Sequence, residues 1–462
     1  MEKDINLLIE RYCAVGLSVA VVKQNELVYS EGFGYRDVEN QLPVTAETVF
    51  PVGSVTKAFT GALLGILASG NQVSLKDKPA KYVPDFTFYN DEMNNLITIE
   101  DVLSHRSGIG NQGTSERFFP DEDKLNVVQR LKYLKPQGEV KNSFEYSNMG
   151  YTLAGTIVEQ ITAKSWEANI RERLFEPLAM TNSYTTLQEL ERSSTYSLPY
   201  GFYNGETEQV QFEEFYSVSP AGALKSTAID MSHWMLTWLN KGVFDGVQVI
   251  PSRYVSQATR IQNKKDGDYD KDSFLFGEGF GWRLKSNYGH FRIDHGGNTF
   301  GFSSNLVMFP FEEIGIIVLT NQDNSLLPYM ITDAFTRRLL HIDAEPEYPV
   351  IVTEIFKPSA YKSMNTAKMP SQPLNSFCGI YQAKGLGKIE IVYEADKLFA
   401  NLPEYKFQLE HLNDDSFFLK PTAAFKENFN PQFTIQFITD TEGEISQLHL
   451  HSQKVLIAFY RE

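Results

Sequence analysis

The chain has 462 residues, of which 42% are hydrophobic and 22% charged, an ordinary globular balance that argues against a disordered, collagen-like or membrane-embedded protein. At roughly 100–200 residues per domain, such a length predicts two to four domains. The excess of 58 Asp+Glu over 42 Lys+Arg leaves a net charge of −16, a field that repels phosphate backbones and anionic lipid and so disfavours nucleic-acid binding and membrane association.

In chain order, a short helical opening precedes two apolar runs at 17–22 and 27–29, whose polar separator Lys23-Gln24-Asn25-Glu26 predicts a β-hairpin. Phe59, Leu63, Ile66 and Leu67 then recur at helical spacing ahead of Gly70, which predicts a buried helix ending at a glycine cap. Short helices, including 149–161 and 228–239, and polar loops fill the stretch from about 75 to 280. Strand-length runs return at 279–283, 303–309 and 314–319. Strands at both ends with helices between them predict an α+β domain over 1–342, an antiparallel sheet with a helical insertion. Pro346, Pro349, Pro358, Pro370 and Pro373 mark a boundary segment at 343–374. Alternating segments at 388–393, 397–402, 407–412, 416–419, 433–438 and 445–450 predict an antiparallel meander in a domain at 375–462, closed into a small barrel because closure removes exposed edges.

The two cysteines, Cys13 and Cys378, support neither a disulfide framework nor a Cys-based zinc site. The longest nearly apolar stretch, 58–68, falls short of the ~20 residues that span a bilayer. Met-Glu-Lys-Asp-Ile-Asn at the N-terminus has neither a basic nor an apolar signal region. A cytoplasmic location is expected of the sequence as it stands, and an exported form with its leader removed would read the same.

Ser54 and Lys57 stand at a Gly-Ser turn opening the buried helix, three residues apart and so on one helical face. A serine hydroxyl needs a base, and a lysine amine serves as one when its environment favours the neutral form. At the head of a helix, the Ser54 N–H and the helix dipole also face any negative charge developing on a substrate carbonyl. Ser-x-x-Lys is expected by chance on the order of once or twice in such a chain, and Ser359-Ala360-Tyr361-Lys362 repeats it without an apolar helix behind it. Two further segments give the pair meaning. Tyr146-Ser147-Asn148 supplies a phenol able to relay a proton and an amide able to bond both a lysine amine and a substrate amide. His295-Gly296-Gly297-Asn298 precedes strand-like runs, and its bare glycines permit another backbone to lie alongside.

In this order the three segments resemble the penicillin-recognising serine hydrolases, the superfamily of class C β-lactamases, D-specific carboxypeptidases and aminopeptidases, and related esterases. Stretches 32–37, 103–108, 221–227 and 279–282 look like the family as well, and the resemblance spans about residues 5–342. It implies a β-lactamase/transpeptidase-like domain with Ser54 acylated, Lys57 as base partner, Tyr146 as proton relay and Asn148 as amide-side contact. It further implies an oxyanion hole from the backbone N–H groups of Ser54 and Asn298, with His295 flanking the site and Gly296 and Gly297 leaving room for the substrate backbone. The final domain looks like the lipocalin-like barrel appended to some members, open to a gating role or to self-association as a homo-oligomer. A lysine is usual in lactamases where His295 stands, and a mostly neutral imidazole holds a carboxylate less firmly. The implied substrate is therefore a small molecule or short peptide, with possible D-residues, acted on without metal or organic cofactor; esterase action is the runner-up and lactam cleavage a side activity.

Other readings of the same residues are weaker. A Ser54/His295/Asp294 triad fails because neighbouring strand residues point to opposite faces. His105 in Ser104-His105-Arg106-Ser107 reads as a loop-satisfying residue more readily than as a base. Gly277-Glu278-Gly279-Phe280-Gly281 lacks phosphate-loop spacing, and His449-Leu450-His451 has no evident third metal ligand. A non-catalytic scaffold is the alternative from outside enzymology, and the intact motifs argue against it.

Overall fold

The apolar run that begins the predicted hairpin becomes an inner strand of a nine-stranded antiparallel sheet. A computed structural model describes residues 2–110, 118–203, 205–212, 214, 216–265, 274–343, 368–422, 433–452 and 455–462. The sheet consists of β1 (Gly16–Lys23), β2 (Glu26–Asp37), β3 (Leu42–Pro43), β4 (Asn263–Lys264), β5 (Phe276–Glu278), β6 (Arg283–Asn287), β7 (His290–Thr299), β8 (Phe302–Phe309) and β9 (Ile314–Thr320). Their spatial order is β4-β5-β6-β7-β8-β9-β1-β2-β3, so the hairpin from the beginning of the chain is stitched to β9, near the end of this unit.

Both faces of the sheet's centre are covered, which explains why β1 is apolar almost without interruption instead of alternating. Leu17, Val19 and Val21 pack with Val307, Ile316 and Val318 against α1 (Glu2–Arg11) and a helix late in the chain, 327–339. Ala20 and Val22 turn the other way, with Leu306, Ile317 and Leu319, onto the helical layer. The heart of that layer is α2 (Thr56–Ser69), buried on nearly all sides and ending at Gly70. A helix apolar all round belongs inside a protein, and its Phe59 ring stacks on Trp234 at 3.6 Å between centroids. Against α2 stand α4 (Asn148–Thr162) and α5 (Ala228–Leu239), with α3 (Lys124–Gln129) packed on α4 and α6 (Leu327–Leu339) on the opposite face of the sheet.

The strand expected at 279–283 is a correction. Residues 279–282 form the turn between β5 and β6, closed by the Gly279 N–H donating to the Trp282 carbonyl at 2.8 Å, and Arg283 already begins β6. Gly281 has φ +76°, and a Cβ there would lie 2.8 Å from the Ala58 Cα, so the turn presses onto the α2 backbone. Gly281, between Phe280 and Trp282, thus serves a left-handed bend rather than a pleat.

The meander closes into an eight-stranded antiparallel barrel: β10 (Gly379–Ala383), β11 (Gly387–Glu394), β12 (Lys397–Asn401), β13 (Lys406–Asn413), β14 (Ser416–Pro421), β15 (Phe433–Thr439), β16 (Ile445–Ser452) and β17 (Val455–Arg461). The first and last of these were not among the predicted segments. They make the closure, Tyr381 pairing with Arg461 and Gln382 with Tyr460, a register between the ends of the segment that no local pattern announces. Of the proline-rich boundary segment, residues 344–367 lie outside the described residues, and 374–377 form a 3₁₀ turn leading into the barrel. Among the described residues no helix is long and apolar enough to cross a membrane.

Gly65, inside α2, shows how closely this helix is held, since a Cβ there would fall 2.2 Å from the Tyr254 ring. Helix propensity would favour Gly65→Ala by about 1 kcal/mol, whereas overpacking against a buried ring costs about 1–3 kcal/mol. The expected outcome is a net loss of stability in urea unfolding, reduced when Tyr254→Leu is added; a stabilised Gly65→Ala would refute the tight contact.

Candidate active site

Ser54 lies in a 3₁₀ turn, Gly53–Val55, that runs into α2, so it stands one step before the helix rather than in its first turn. The turn is pinned from two directions. The Val52 N–H donates to the Leu224 carbonyl at 2.8 Å, while the Val52 carbonyl accepts from Ser304 Oγ at 2.9 Å. Thr56 Oγ1 donates to the Gly53 carbonyl at 2.7 Å and accepts from the Leu224 N–H at 3.1 Å. Gly53 has φ +54°, and a Cβ on it would meet the Asn298 nitrogen at 2.8 Å, so only glycine lets the serine turn approach β7 this closely.

Lys57 is fully buried and its Nζ gathers three oxygens: Ser54 Oγ at 3.1 Å, Asn148 Oδ1 at 2.8 Å and the Ala221 carbonyl at 2.8 Å. An ammonium donates to all three. An amine that has lost one proton still serves both carbonyl-type oxygens with its remaining N–H bonds and turns its lone pair to the Ser54 hydroxyl. The Ala221 carbonyl carries no signal in the sequence, since any residue supplies one; only the fold brings it here.

Tyr146 and Asn148 flank Ser147, the N-cap of α4, whose hydroxyl accepts from the Gly150 N–H at 3.0 Å. The cap explains the middle residue of the Tyr-x-Asn motif and fixes which way its neighbours face. The Tyr146 hydroxyl is hydrogen-bonded to Ser54, and burial drives its pKa upward, keeping the phenol neutral. Lys57 Nζ sits 4.8 Å from the Tyr146 ring centre. His105 secures this segment from both sides: its carbonyl accepts from the Glu145 N–H at 2.8 Å and its Nδ1 from the Ser147 N–H at 3.1 Å. Its ring lies 4.5 Å from that of Tyr146, and burial holds its pKa well below the usual imidazole value. His105 is therefore a brace for the tyrosine, as its loop reading suggested.

His295 is buried, with its ring centre 6.4 Å from that of Tyr146 and its Nδ1–H directed to the Gly296 carbonyl at 2.7 Å. Burial, then Arg283 and Lys57, bring its pKa down to about 3, so the imidazole is neutral at physiological pH. Asp294 belongs to a different cluster, Arg292 Nε at 2.7 Å and Lys285 Nζ at 3.4 Å, and their charges with that of Arg283 overcome burial to hold it at about 2. The histidine triad is thereby excluded.

The two glycines of β7, read from the sequence as room for another backbone, have close neighbours within this chain. A Cβ on Gly297 would strike the Val52 carbonyl at 2.0 Å, and one on Gly296 the Tyr329 hydroxyl at 2.0 Å. Gly297 thus admits the backbone of the serine turn, and Gly296 the Tyr329 side chain of α6. The strand's exposed edge comes from register instead: β6 pairs with β7 only as far as Arg283↔Asp294, whereas β8 continues along it to Thr299↔Phe302. Residues 295–299 thus have one side without a strand partner among the described residues, and Asn298 is exposed there.

Arg283 stands where that edge begins and is a residue that sequence reasoning missed. Burial opposes its charge, but Asp294, Glu278 and the phenols of Tyr329 and Tyr146 keep its pKa above the ordinary value. Burial pushes neighbouring Glu278, 3.9 Å from Arg283, up to about 8 despite that cation, so at neutral pH the glutamate is mostly uncharged. A cation thus remains beside the site in a strongly acidic protein. No group of three or more potential metal-ligating His, Cys, Asp or Glu side chains occurs among the described residues.

A family model described as Beta-lactamase matches residues 3–338, and one described as a domain of unknown function (DUF3471) matches 364–459. Protein flp of Staphylococcus aureus (strain N315) is 29% identical over 336 residues, 71% of this chain and 63% of the relative. Unguisins hydrolase ungD' of Aspergillus campestris is 28% identical over 332 residues, 69% of this chain and 60% of that protein. The chain therefore spans less than two thirds of the length of these relatives. Among solved structures, the octameric penicillin-binding protein homologue from Pyrococcus abyssi superposes with a TM-score of 0.69 at 23% identity, over 99% of this chain and 98% of that one. SurE, solved also with D-Leu, gives 0.60 at 19% identity over 100% and 98%.

The neutral burial of His295 has a consequence for stability. Its folded pKa of about 3 lies below the ordinary 6.5, so between these values the unfolded chain binds more protons. The stability contributed by neutral burial is complete above pH 6.5 and is lost as pH falls toward 3. His295→Gln is expected to flatten the decline of the urea midpoint between pH 6.5 and 4; an unchanged slope would refute the assignment.

Proposed function

The chain belongs to the Beta-lactamase family of serine hydrolases, and from that premise we propose that it cleaves short peptides or peptide-like amides through an acyl-Ser54 intermediate. The observation carrying this reading is the triple bond set of Lys57 Nζ, which leaves a lone pair for Ser54 once the amine is neutral. Ser54 Oγ bonds to the substrate carbonyl carbon as its proton passes to Lys57. The neutral Tyr146 phenol gives its proton to the departing nitrogen as the C–N bond breaks, and the proton held by Lys57 restores the phenol. Water then adds to the acyl carbon as one of its protons passes to Lys57, the C–Oγ bond breaks, the proton moves on to Ser54 Oγ, and the carboxylic acid leaves.

The carbonyl oxygen turns toward the N–H groups of Ser54 and Asn298, each such donor contributing about 2.7–4 kcal/mol to the transition state. A peptide running along the open edge of β7 would bring one end beside Arg283, which supplies the positive charge that neutral His295 does not. The name of the Aspergillus relative makes it a hydrolase of unguisins, in keeping with hydrolysis here, and the structure of SurE with D-Leu is consistent with a substrate containing D-residues. The Staphylococcus relative's name specifies no reaction.

A fluorophosphonate probe followed by intact-mass measurement should yield one adduct on the native chain and none on Ser54→Ala; an adduct surviving that substitution would remove Ser54 from the chemistry. Lys57→Ala and Tyr146→Phe should each lower turnover by on the order of 10²–10⁴ with the fold intact. Near-native rates in either would dismiss that residue. For Arg283→Met, the loss of a charged hydrogen bond worth about 1.5–3 kcal/mol should raise KM roughly 10- to 100-fold for peptides with a free carboxylate. Neutral p-nitrophenyl esters should be unaffected, and an equal effect on both would refute carboxylate recognition.

A further inference from the structure

Phe118 and Phe119 belong by sequence to the hydrolase unit, yet their rings lie in the barrel. Both are buried, at 0% and 1% exposure. Phe118 meets Phe433 at 4.9 Å and Tyr405 and Phe407 at 6.0 Å, all edge-on, while Phe119 meets Phe459 at 5.6 Å. The barrel's rim is cut to receive them: a Cβ on Gly387 would lie 3.0 Å from the Phe119 ring, and one on Gly385 2.1 Å from that of Tyr133. Phe377 lies against Phe417 and Phe437 elsewhere in the same interior, at 5.6 and 4.7 Å. An eight-stranded barrel has room for its own side chains or one small ligand. Here aromatic rings from outside the strands take up that room.

From this anchor a continuous set of contacts leads to the active-site tyrosine. Arg130 donates to the Phe119 carbonyl at 2.5 Å and pairs with Asp121 at 3.2 Å. Lys124 of α3 reaches Glu159 of α4 at 3.2 Å. Beyond Tyr133, the Gln137 N–H donates to the Gly108 carbonyl at 2.8 Å and the Lys141 N–H to the Arg106 carbonyl at 2.7 Å. Those bonds tie the segment to the residues next to His105, whose carbonyl and Nδ1 hold the backbone on both sides of Tyr146.

We propose that the barrel is an internal clamp on its own hydrolase unit, with Phe118 and Phe119 as positioning residues that hold His105, and through it Tyr146, in place. Its interior is then a socket for this chain rather than a cup for a soluble ligand. The activity readout rests on the acyl-Ser54 reading, whereas the exchange readout does not.

The test uses the full chain carrying Phe118→Ala and Phe119→Ala together, with Phe118→Leu and Phe119→Leu as the conservative pair. Amide hydrogen exchange should accelerate at least tenfold at Glu145 and Ser147, with protection in α2 and the central sheet unchanged. Acylation by the fluorophosphonate probe should slow at least tenfold, and the leucine pair should recover most of both effects. Gly385→Val, which drives Tyr133 off the rim, examines the same link from the barrel side should the alanine pair not fold. Native protection at Glu145 and Ser147 in a chain whose barrel-rim amides exchange freely would overturn the clamp. Absence of labelling in the native chain would refute the serine hydrolase reading, and exchange at Glu145 and Ser147 would still decide this one.

Discussion

A buried amine held by three oxygens is the constraint on which the rest of this structure depends. Lys57 draws one partner from the turn before α2, one from the start of α4 and one from the short helix Ser219–Gly222, segments far apart in sequence. Burying a charge without partners costs far more than a domain can spare. Packing that loses any of the three contacts is therefore penalised at the core, and the packing that satisfies the amine also holds it against Ser54 Oγ. Thr60 reinforces the arrangement by donating to the Pro220 carbonyl at 2.6 Å while accepting from Trp166 Nε1 at 3.0 Å.

The sheet contributes closeness and charge. Gly53, Gly297 and Gly281 allow three backbones to approach one another more nearly than any side chain would permit, which sets the serine turn against β7 and the β5–β6 turn against α2. On the same side of the molecule Asp294 is committed to Arg292 and Lys285, and Glu278 is mostly protonated, so Arg283 is left as a cation at the open edge. A chain with net charge −16 repels anions at a distance, and one local cation in a partly dry site outweighs distant surface charges that salt screens.

Phe118 and Phe119 carry the apolar core of the helical layer into the barrel, so the two regions share one cluster of buried side chains. This contact joins the barrel to the helical layer, a link that strand count and spacing did not suggest. Aromatic pairs are valuable here because each ring buries a large area and its edge-to-face geometry fixes direction as well as distance.

Local pattern was enough to read the hairpin at 17–29, the buried helix after Ser54, the helices at 149–161 and 228–239 and six barrel strands, because each is written as a period or as a cap. Ser54, Lys57, Tyr146 and Asn148 stood out for the same reason, as side chains at fixed short spacings, and the structure brings the four together around Lys57 Nζ and Ser54 Oγ. The β5–β6 turn was misread because glycines among aromatics look like a strand until a left-handed bend against α2 is known. Arg283, the Ala221 carbonyl, the barrel's closing register and the Phe118–Phe119 anchor gave no signal at all. Sequence by itself determined which residues could form a core and which groups could exchange protons, since these are properties of composition and local periodicity. Only the tertiary structure decided which carbonyl meets Lys57, which glycine admits which backbone and what fills the barrel, because such contacts join segments whose separation along the chain says nothing about their distance in space.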